Sequence, residues 1–304
     1  MEFFDANDGC RLAYLDTGPR HGLPMILLHG WTGSSAVFKR NIPSLSKDYR
    51  VIAPDLRGHG QSIERRSGYH VSRLAMDLRN LIRHLQLPIG KIIGVGASLG
   101  CAVLWSYSEL FTTDAFSRMI FVDQAPLQNY TTDGSWGPEY GSKGCNSAES
   151  LARLEQKLKD SPLNVYKGTV ADCLGYRSHP LSDDMITDEE KQEDEEFFVN
   201  IALQGDPVWY GKLMADHTAL DWRDSIKASF NPEKSHTTVL VIATDRSGCF
   251  PAQGPAAVVR LVEQDFDEER ADAVLVEWGG HWCYWENPAK FNELVLDYLK
   301  RTEQ

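Results

Sequence analysis

Long apolar runs are missing from this chain of 304 residues. No stretch reaches the roughly 18 uninterrupted apolar residues that a membrane-spanning helix needs. Residues 1–5 carry neither a basic segment nor a long apolar core, so we expect no secretory signal peptide. Without such signals the expected location is the cytoplasm, and no membrane is expected among the partners.

Positive charge is also scarce, with 31 lysines and arginines against 43 acidic residues and a net charge of −12 at pH 7. An acidic surface repels phosphate backbones, so nucleic acid is not an expected partner. A small-molecule substrate is the partner that we expect. Both a monomer and a homodimer remain open.

Cysteines are few and widely spaced, and none stands in a Cys-x-x-Cys pair. The six are Cys10, Cys101, Cys145, Cys173, Cys249 and Cys283. Such spacing is typical of free thiols in a reducing compartment, and it gives no indication of a disulfide framework or a zinc site. The sequence also lacks His-Glu-x-x-His, a calcium loop and a phosphate loop, so we expect no metal and no cofactor.

A glycine-rich segment at residues 94–100 is the strongest chemical signal that is present. It follows an apolar run typical of a buried strand and precedes one typical of a buried helix. Its Gly96-x-Ser98-x-Gly100 spacing is the pattern of a nucleophile elbow, in which a sharp turn exposes a strained serine. Glycines two residues before and after the serine remove side chains that would clash. A dinucleotide loop would need glycine at Leu99, so that alternative is weaker.

Apolar strands alternate with helix patterns on either side of a long insertion. This order predicts an α/β fold with a mainly parallel sheet, built from residues 1–123 and 237–304. Residues 124–236 show no such alternation, and we predict that they form an inserted α-helical cap. Residues 183–196 are strongly acidic, which favours a solvated helix face.

Four motifs in this order resemble the α/β-hydrolase family, and they extend over nearly the whole chain outside the cap. They are His29-Gly30-Trp31, Asp55-x-Arg57-Gly58-His59-Gly60-x-Ser62, Gly96-x-Ser98-x-Gly100, and Gly279-Gly280-His281 followed by Glu286-Asn287-Pro288. The resemblance implies the α/β-hydrolase fold. It assigns mainly structural roles to Asp55, Arg57 and His59.

The resemblance also implies a serine, histidine and acid triad. Ser98 fits the nucleophile, and His281 fits the base in a glycine-rich loop after the last strand. The usual site for the acid, about four residues before Pro251, is occupied by Ser247. We therefore predict Asp123, at the end of the sixth strand, with Asp245 as the second choice. A buried aspartate at a strand end needs a partner, and a catalytic histidine is a suitable one.

By the same resemblance, the backbone N–H groups of Trp31 and Leu99 form the oxyanion hole. Aromatic residues near the histidine and in the cap suggest a mostly apolar pocket. The residues predicted to bind substrate are Trp31, Trp136, Tyr140, Trp209, Tyr210 and Trp282.

The sequence thus favours a serine hydrolase that cleaves an ester or lactone, or a carbon–carbon bond next to a ketone, through an acyl-enzyme. Serine at the elbow argues against an epoxide hydrolase or a haloalkane dehalogenase, which would carry aspartate there. A cofactor-free dioxygenase or lyase on the same fold remains an alternative, as does a hydrolase-like sensor that binds a small ligand.

Overall fold

A central sheet organises the chain in a computed structural model that describes residues 1–64, 67–141, 147–264 and 270–303. Over these residues the sheet has eight strands in the order β1-β2-β4-β3-β5-β6-β7-β8. The strands are β1 (Glu2–Asp5), β2 (Arg11–Thr17), β3 (Pro24–Leu28), β4 (Arg50–Pro54), β5 (Ile92–Ala97), β6 (Phe116–Val122), β7 (Thr238–Thr244) and β8 (Ala271–Val276). At the N-terminus β1 and β2 pair antiparallel and form a hairpin.

In the order of the sheet, all neighbouring strands from β4 to β8 pair in parallel. Their connections run over the two faces of the sheet. The helices are α1 (Ile42–Leu45), α2 (Val71–His84), α3 (Leu99–Phe111), α4 (Ala148–Asp160), α5 (Pro162–Cys173), α6 (Gly175–Ser178), α7 (Asp188–Ala202), α8 (Pro207–Ala219), α9 (Arg223–Ser229), α10 (Gln253–Glu263), α11 (Cys283–Glu286) and α12 (Pro288–Arg301). No helix in the described part of the chain is long and apolar enough to cross a membrane.

Both faces of the parallel sheet are buried, which explains why its strands read as continuous apolar runs. In β3, Ile26 and Leu28 pack into the cluster that contains α2 and α3. Met25 and Leu27 point to the opposite face and pack into the cluster that contains α12. Neighbouring residues of one strand therefore belong to two different hydrophobic cores.

The segment at residues 35–45 is divided into two short elements. It forms a 3₁₀ turn at Ser35–Phe38 and then the separate helix α1. Pro43 lies in the first turn of α1, and proline has no N–H with which to continue a preceding helix. The break therefore lies before this proline, between the end of the turn at Phe38 and the start of α1 at Ile42.

Helices α4 to α9 all lie between β6 and β7, within the predicted cap. The domain boundaries at 123/124 and 236/237 stay a prediction. The acidic run is not wholly solvated, because Asp194 on α7 is buried. Its carboxylate pairs with Arg40, whose Nη2 donates to it at 2.6 Å.

The strand ends that carry the predicted chemistry meet at one edge of the sheet. In parallel strands the carboxyl ends share an edge, and loops there collect residues from distant parts of the sequence. Ser98 follows β5, Asp123 follows β6, and the loop with His281 follows β8. This edge faces the helices of the insertion and holds the candidate site.

Candidate active site

Ser98 stands in a strained backbone conformation between β5 and α3, with φ 53° and ψ −120°. A Cβ at Gly96 would lie 2.6 Å from the backbone N of Cys101, and one at Gly100 would lie 2.3 Å from the carbonyl oxygen of Leu28. Such approaches exclude any side chain, so both glycines are required for the turn. The elbow geometry predicted from the spacing is present.

The acid and the base of the predicted triad lie in direct contact. His281 Nδ1 is 2.7 Å from Asp123 Oδ2, and both side chains are almost fully buried. Asp123 also has a left-handed backbone, with φ 46°. Its other oxygen, Oδ1, accepts a hydrogen bond from the backbone N–H of Thr244 at 3.2 Å. The carboxylate is thereby held against the imidazole.

The second choice for the acid is placed differently. Asp245 is exposed at the end of β7, and its backbone N–H donates to the carbonyl oxygen of Val276. The contact with the His281 imidazole comes from Asp123 instead, so the geometry favours the first choice.

Two effects of opposite sign act on His281. Burial lowers the pKa of the imidazole, but the nearby Cys249 sulfur and the hydrogen-bonded Asp123 carboxylate outweigh it and raise the pKa of His281 to about 9. The same surroundings stabilise the imidazolium that would form when the ring takes a proton from a serine.

The loop after β3 brings the first predicted oxyanion donor to the elbow. A Cβ at Gly30 would lie 3.0 Å from the Cβ of Ser98, so the backbone beside Trp31 passes directly over the serine. Leu99 follows the serine and opens α3, where backbone N–H groups lack partners within the helix. Both predicted N–H donors, those of Trp31 and Leu99, thus belong to backbone adjacent to the serine.

Buried polar residues hold the loop after β3 and the neighbouring loop after β4 in place. His29 Nε2 accepts the backbone N–H of Leu56 at 3.0 Å. The Asp55 carboxylate accepts the backbone N–H groups of Ser35 and Gln61. These bonds agree with the structural role that the resemblance assigns to the loop after β4.

A cavity of about 460 Å³ opens above the serine, between the sheet edge and the insertion. Its size is that of a small-molecule site. Helices α4, α5 and α8 form one side and the loops of the sheet edge form the other. The lining residues are Gly30, Trp31, Ser98, Gln124, Gln128, Leu151, Leu154, Thr169, Asp172, Cys173, Met214, His217, Thr218, Gly248, Cys249, Phe250, His281 and Trp282.

Two of the six predicted substrate-binding residues, Trp31 and Trp282, line this cavity. The other four are placed outside its lining and have packing partners instead. Trp136 stacks on Tyr140 with ring centroids 4.6 Å apart. Trp209 and Tyr210 pack against the ring of His59. They lie in the first turn of α8, whereas the cavity is lined by residues further along that helix.

A polar pair in the cavity wall carries no signal in the sequence. Gln128 Nε2 lies 2.9 Å from His217 Nε2, which joins the segment after β6 to α8. Burial lowers the pKa of His217 to about 4, so its ring is neutral. The Nδ1 atom of the same ring is buried without a hydrogen-bond partner among the described residues. Only the packing of α8 over the sheet edge brings these residues together.

The loop that carries His281 is anchored by a buried carboxylate. Glu286 on α11 accepts the backbone N–H of Gly280 at 2.6 Å. Both of its oxygens also accept the backbone N–H of Gly175 at 3.0 Å, at the start of α6. Burial raises the pKa of Glu286. One side chain thus fixes the position of the candidate base and ties it to the insertion.

The comparisons with known proteins agree with this architecture. A family model for the alpha/beta hydrolase fold matches residues 24–288. The chain belongs to the α/β-hydrolase family, which confirms the family and the fold class predicted from the sequence and supports its being a hydrolase.

Three similar proteins illustrate the breadth of this family. The AB hydrolase superfamily protein YisY of Bacillus subtilis (strain 168) is 39% identical over 280 residues, which are 91% of this chain and 92% of that protein. A soluble epoxide hydrolase of Corynebacterium sp. (strain C12) is 34% identical over 119 residues. That match extends over 39% of this chain and only 40% of the relative. The solved structure of an esterase from Exiguobacterium antarcticum superposes with a TM-score of 0.79 at 20% identity, and 98% of each chain is aligned.

Proposed function

We propose that the protein is a serine hydrolase that cleaves an ester or lactone of a mostly apolar small molecule. One observation carries the proposal: Ser98, at the strained elbow, and His281, bonded to Asp123, line the same cavity. This combination would provide a nucleophile that faces the cavity, a base, and an acid that orients the base.

The proposed reaction begins when Ser98 Oγ attacks the carbonyl carbon of the bound substrate. His281 takes the hydroxyl proton, and Asp123 stabilises the imidazolium that forms. The N–H groups of Trp31 and Leu99 bind the oxygen that becomes negative. His281 then gives its proton to the leaving alcohol, and water hydrolyses the acyl-enzyme in a second round of the same steps.

The wall of the cavity supports the proposed substrate class. Leu151, Leu154 and Met214 from the insertion and Phe250 from the core present apolar surface. Aliphatic and aromatic groups of an acyl chain or an alcohol would bury their surface there. A ketone with a scissile carbon–carbon bond would fit the same wall and the same serine chemistry.

Fluorophosphonate labelling tests the proposal, because this reagent bonds covalently to activated serines. Intact mass spectrometry should give one adduct on the wild-type protein and none on Ser98→Ala. Ser108→Ala is a matched control, since Ser108 lies buried on α3 and its hydroxyl donates to the carbonyl oxygen of Leu104. This control should be labelled like the wild type.

A panel of esters and lactones with increasing apolar chain length then identifies the preferred substrate. Folded wild-type protein that takes up no label and cleaves none of these compounds would contradict the proposal. Oxygen-dependent turnover would then favour the dioxygenase, and tight ligand binding without turnover would favour the sensor.

A further inference from the structure

Two cysteines from distant parts of the chain meet in the wall of the cavity. Cys173 ends α5, and Cys249 lies in the loop after β7. Their Sγ atoms are 3.6 Å apart, and both residues line the cavity beside the candidate catalytic centre. Both are free thiols.

The backbone holds this pair together. The N–H of Gly248 donates to the carbonyl oxygen of Asp172 at 2.9 Å, one residue before each cysteine. A Cβ at Gly248 would lie 3.0 Å from the Cα of Asp172, so only glycine allows the segments to approach this closely. The N–H of Trp282 donates to the carbonyl oxygen of Cys173 at 3.1 Å, which joins the loop of His281 to the same point.

A ring nitrogen of His281 completes the cluster. This atom and the two sulfurs all lie within 4.8 Å of one another. Zinc binds thiolates at about 2.3 Å in a tetrahedron, which places two sulfur ligands about 3.8 Å apart. The observed sulfur separation of 3.6 Å is close to that value.

The histidine also has the partner that ligating histidines usually have. Metal-bound imidazoles commonly bond through their second nitrogen to a carboxylate, which orients the ring. His281 has such a carboxylate in Asp123. Two sulfurs and one imidazole are a soft ligand set that selects zinc and related ions over magnesium or calcium.

We propose that Cys173, Cys249 and His281 form a binding site for a thiophilic divalent cation such as Zn²⁺, and that an ion bound at this site inhibits the enzyme. All three residues line the cavity, so an ion can reach them from there. Binding releases the thiol protons and, where the ring is protonated, the proton on the coordinating imidazole nitrogen, which frees that nitrogen's lone pair for the ion. Because Nδ1 faces Asp123, the ion coordinates through Nε2, and this removes the lone pair that would accept the Ser98 proton. The inhibitory part rests on the proposed function, whereas the binding part does not.

Metal binding is tested first, without any activity measurement. Reduced, metal-free protein is titrated with Co²⁺, which absorbs strongly when thiolates bind to it. We expect one Co²⁺ per chain with thiolate-to-cobalt absorption, and displacement of the ion by Zn²⁺. Cys173→Ser and Cys249→Ser should each weaken binding by more than about 100-fold, because even loss of an outer partner of a ligand costs 10–100-fold. Cys10→Ser, which changes a buried cysteine outside the cavity, should bind as the wild type does.

Alkylation of the wild-type protein gives a second readout that needs no variant. Zn²⁺ should protect Cys173 and Cys249 from iodoacetamide and leave the modification of Cys10 unchanged. Absence of cobalt–thiolate absorption, unprotected thiols, or equal affinity in all variants would overturn the site.

Inhibition is then measured on a chromogenic ester, with each variant compared with its own rate in the absence of zinc. Zinc should inhibit the wild type with the midpoint found for binding, and Cys249→Ser only at more than about 100-fold higher concentration. Binding without any ester hydrolysis would support the site and contradict the proposed hydrolase. Hydrolysis that zinc inhibits equally in wild type and Cys249→Ser would overturn the site and leave the hydrolase intact.

Discussion

The sheet edge and the helical insertion contribute different things to the same cavity. The edge supplies the proposed nucleophile, acid and base, each directly after or close behind a strand. The insertion supplies Leu154, Met214 and other wall residues from the faces of α4, α5 and α8. The chemistry therefore rests on the parallel sheet, and the shape of the site rests on helix packing.

This division explains how the family can hold many activities on one fold. Changes in the insertion can alter the wall without moving Ser98 or the pair of Asp123 and His281. It also predicts that substitutions in the two regions should have different kinetic effects. Those at the edge should lower kcat, and those in the insertion should change KM and selectivity.

The largest expected difference in kcat is between variants of two histidines that line the same cavity, one from each region. His281→Gln removes the base and should lower kcat for the preferred ester by about 10⁴-fold. His217→Gln alters the wall on α8 and should change KM, with kcat kept within about tenfold. Steady-state kinetics on both variants decides this. Equal losses of kcat would show that the two regions are not divided in this way.

A smaller but still large effect should follow from Glu286→Gln. The amide has no negative charge and puts an NH₂ donor where Oε1 now accepts the N–H of Gly175, so it should hold Gly175 and Gly280 less firmly than the carboxylate does. A shift of the His281 loop should lower kcat by about 100-fold, as small misplacements of catalytic groups do. Rates with an activated and an unactivated ester should fall together. An unchanged kcat would mean that the loop is positioned by other contacts.

The ion pair between Asp184 and Arg246 tests how the insertion is fastened to the loop after β7. Arg246 Nη2 donates to the Asp184 carboxylate at 2.6 Å. Burial raises the pKa of Asp184, but the hydrogen bonds from Arg246 and from the Leu181 N–H, with the positive charge of Arg246, together outweigh it, and the net pKa is lowered. Asp184→Asn should reduce the free energy of unfolding by about 2 kcal/mol at neutral pH.

Because the folded pKa is lowered, this contribution is present above the ordinary carboxyl pKa of about 3.9 and is lost as the pH falls through the folded pKa. The difference between Asp184→Asn and wild type in urea unfolding should therefore shrink in acid. Asp183→Asn, at the exposed neighbouring residue, should have little effect at any pH. A difference that does not change with pH would contradict the ion-pair account.

The smallest effect should separate two kinds of residue within the insertion. Leu154→Ala enlarges the cavity wall and should change the preference between neighbouring acyl chain lengths by about tenfold. Trp136→Leu removes a ring that stacks on Tyr140 outside the lining and should lower stability while leaving that preference unchanged. A change of chain-length preference in Trp136→Leu would show that this aromatic pair shapes the site after all.

The division between sheet edge and insertion also determines which parts of the site can be predicted from the sequence. The elbow can be predicted from the sequence because the steric clashes that require its glycines arise within a segment of five residues. Asp123 is visible because a charged residue at the end of a buried strand needs a partner. Both depend on local sequence.

The wall of the cavity depends on contacts between distant residues. The sequence predicts that Trp209 and Tyr210 bind substrate, yet the start of α8 packs on the ring of His59. The pairs Gln128 with His217 and Cys173 with Cys249 join residues that are 89 and 76 positions apart. No spacing rule covers such distances, so these contacts follow only from the packing of helices on the sheet.

The most direct test of the account compares the two candidate acids in one assay. The second-order rate of Ser98 labelling by a fluorophosphonate, followed by mass spectrometry, reports how far the serine is activated. We expect Asp123→Asn to slow labelling by about 10⁴-fold, since the histidine loses the partner that orients it, and Asp245→Asn to be labelled as fast as the wild type. Fast labelling in Asp123→Asn together with slow labelling in Asp245→Asn would contradict the account and assign the acid to the loop after β7.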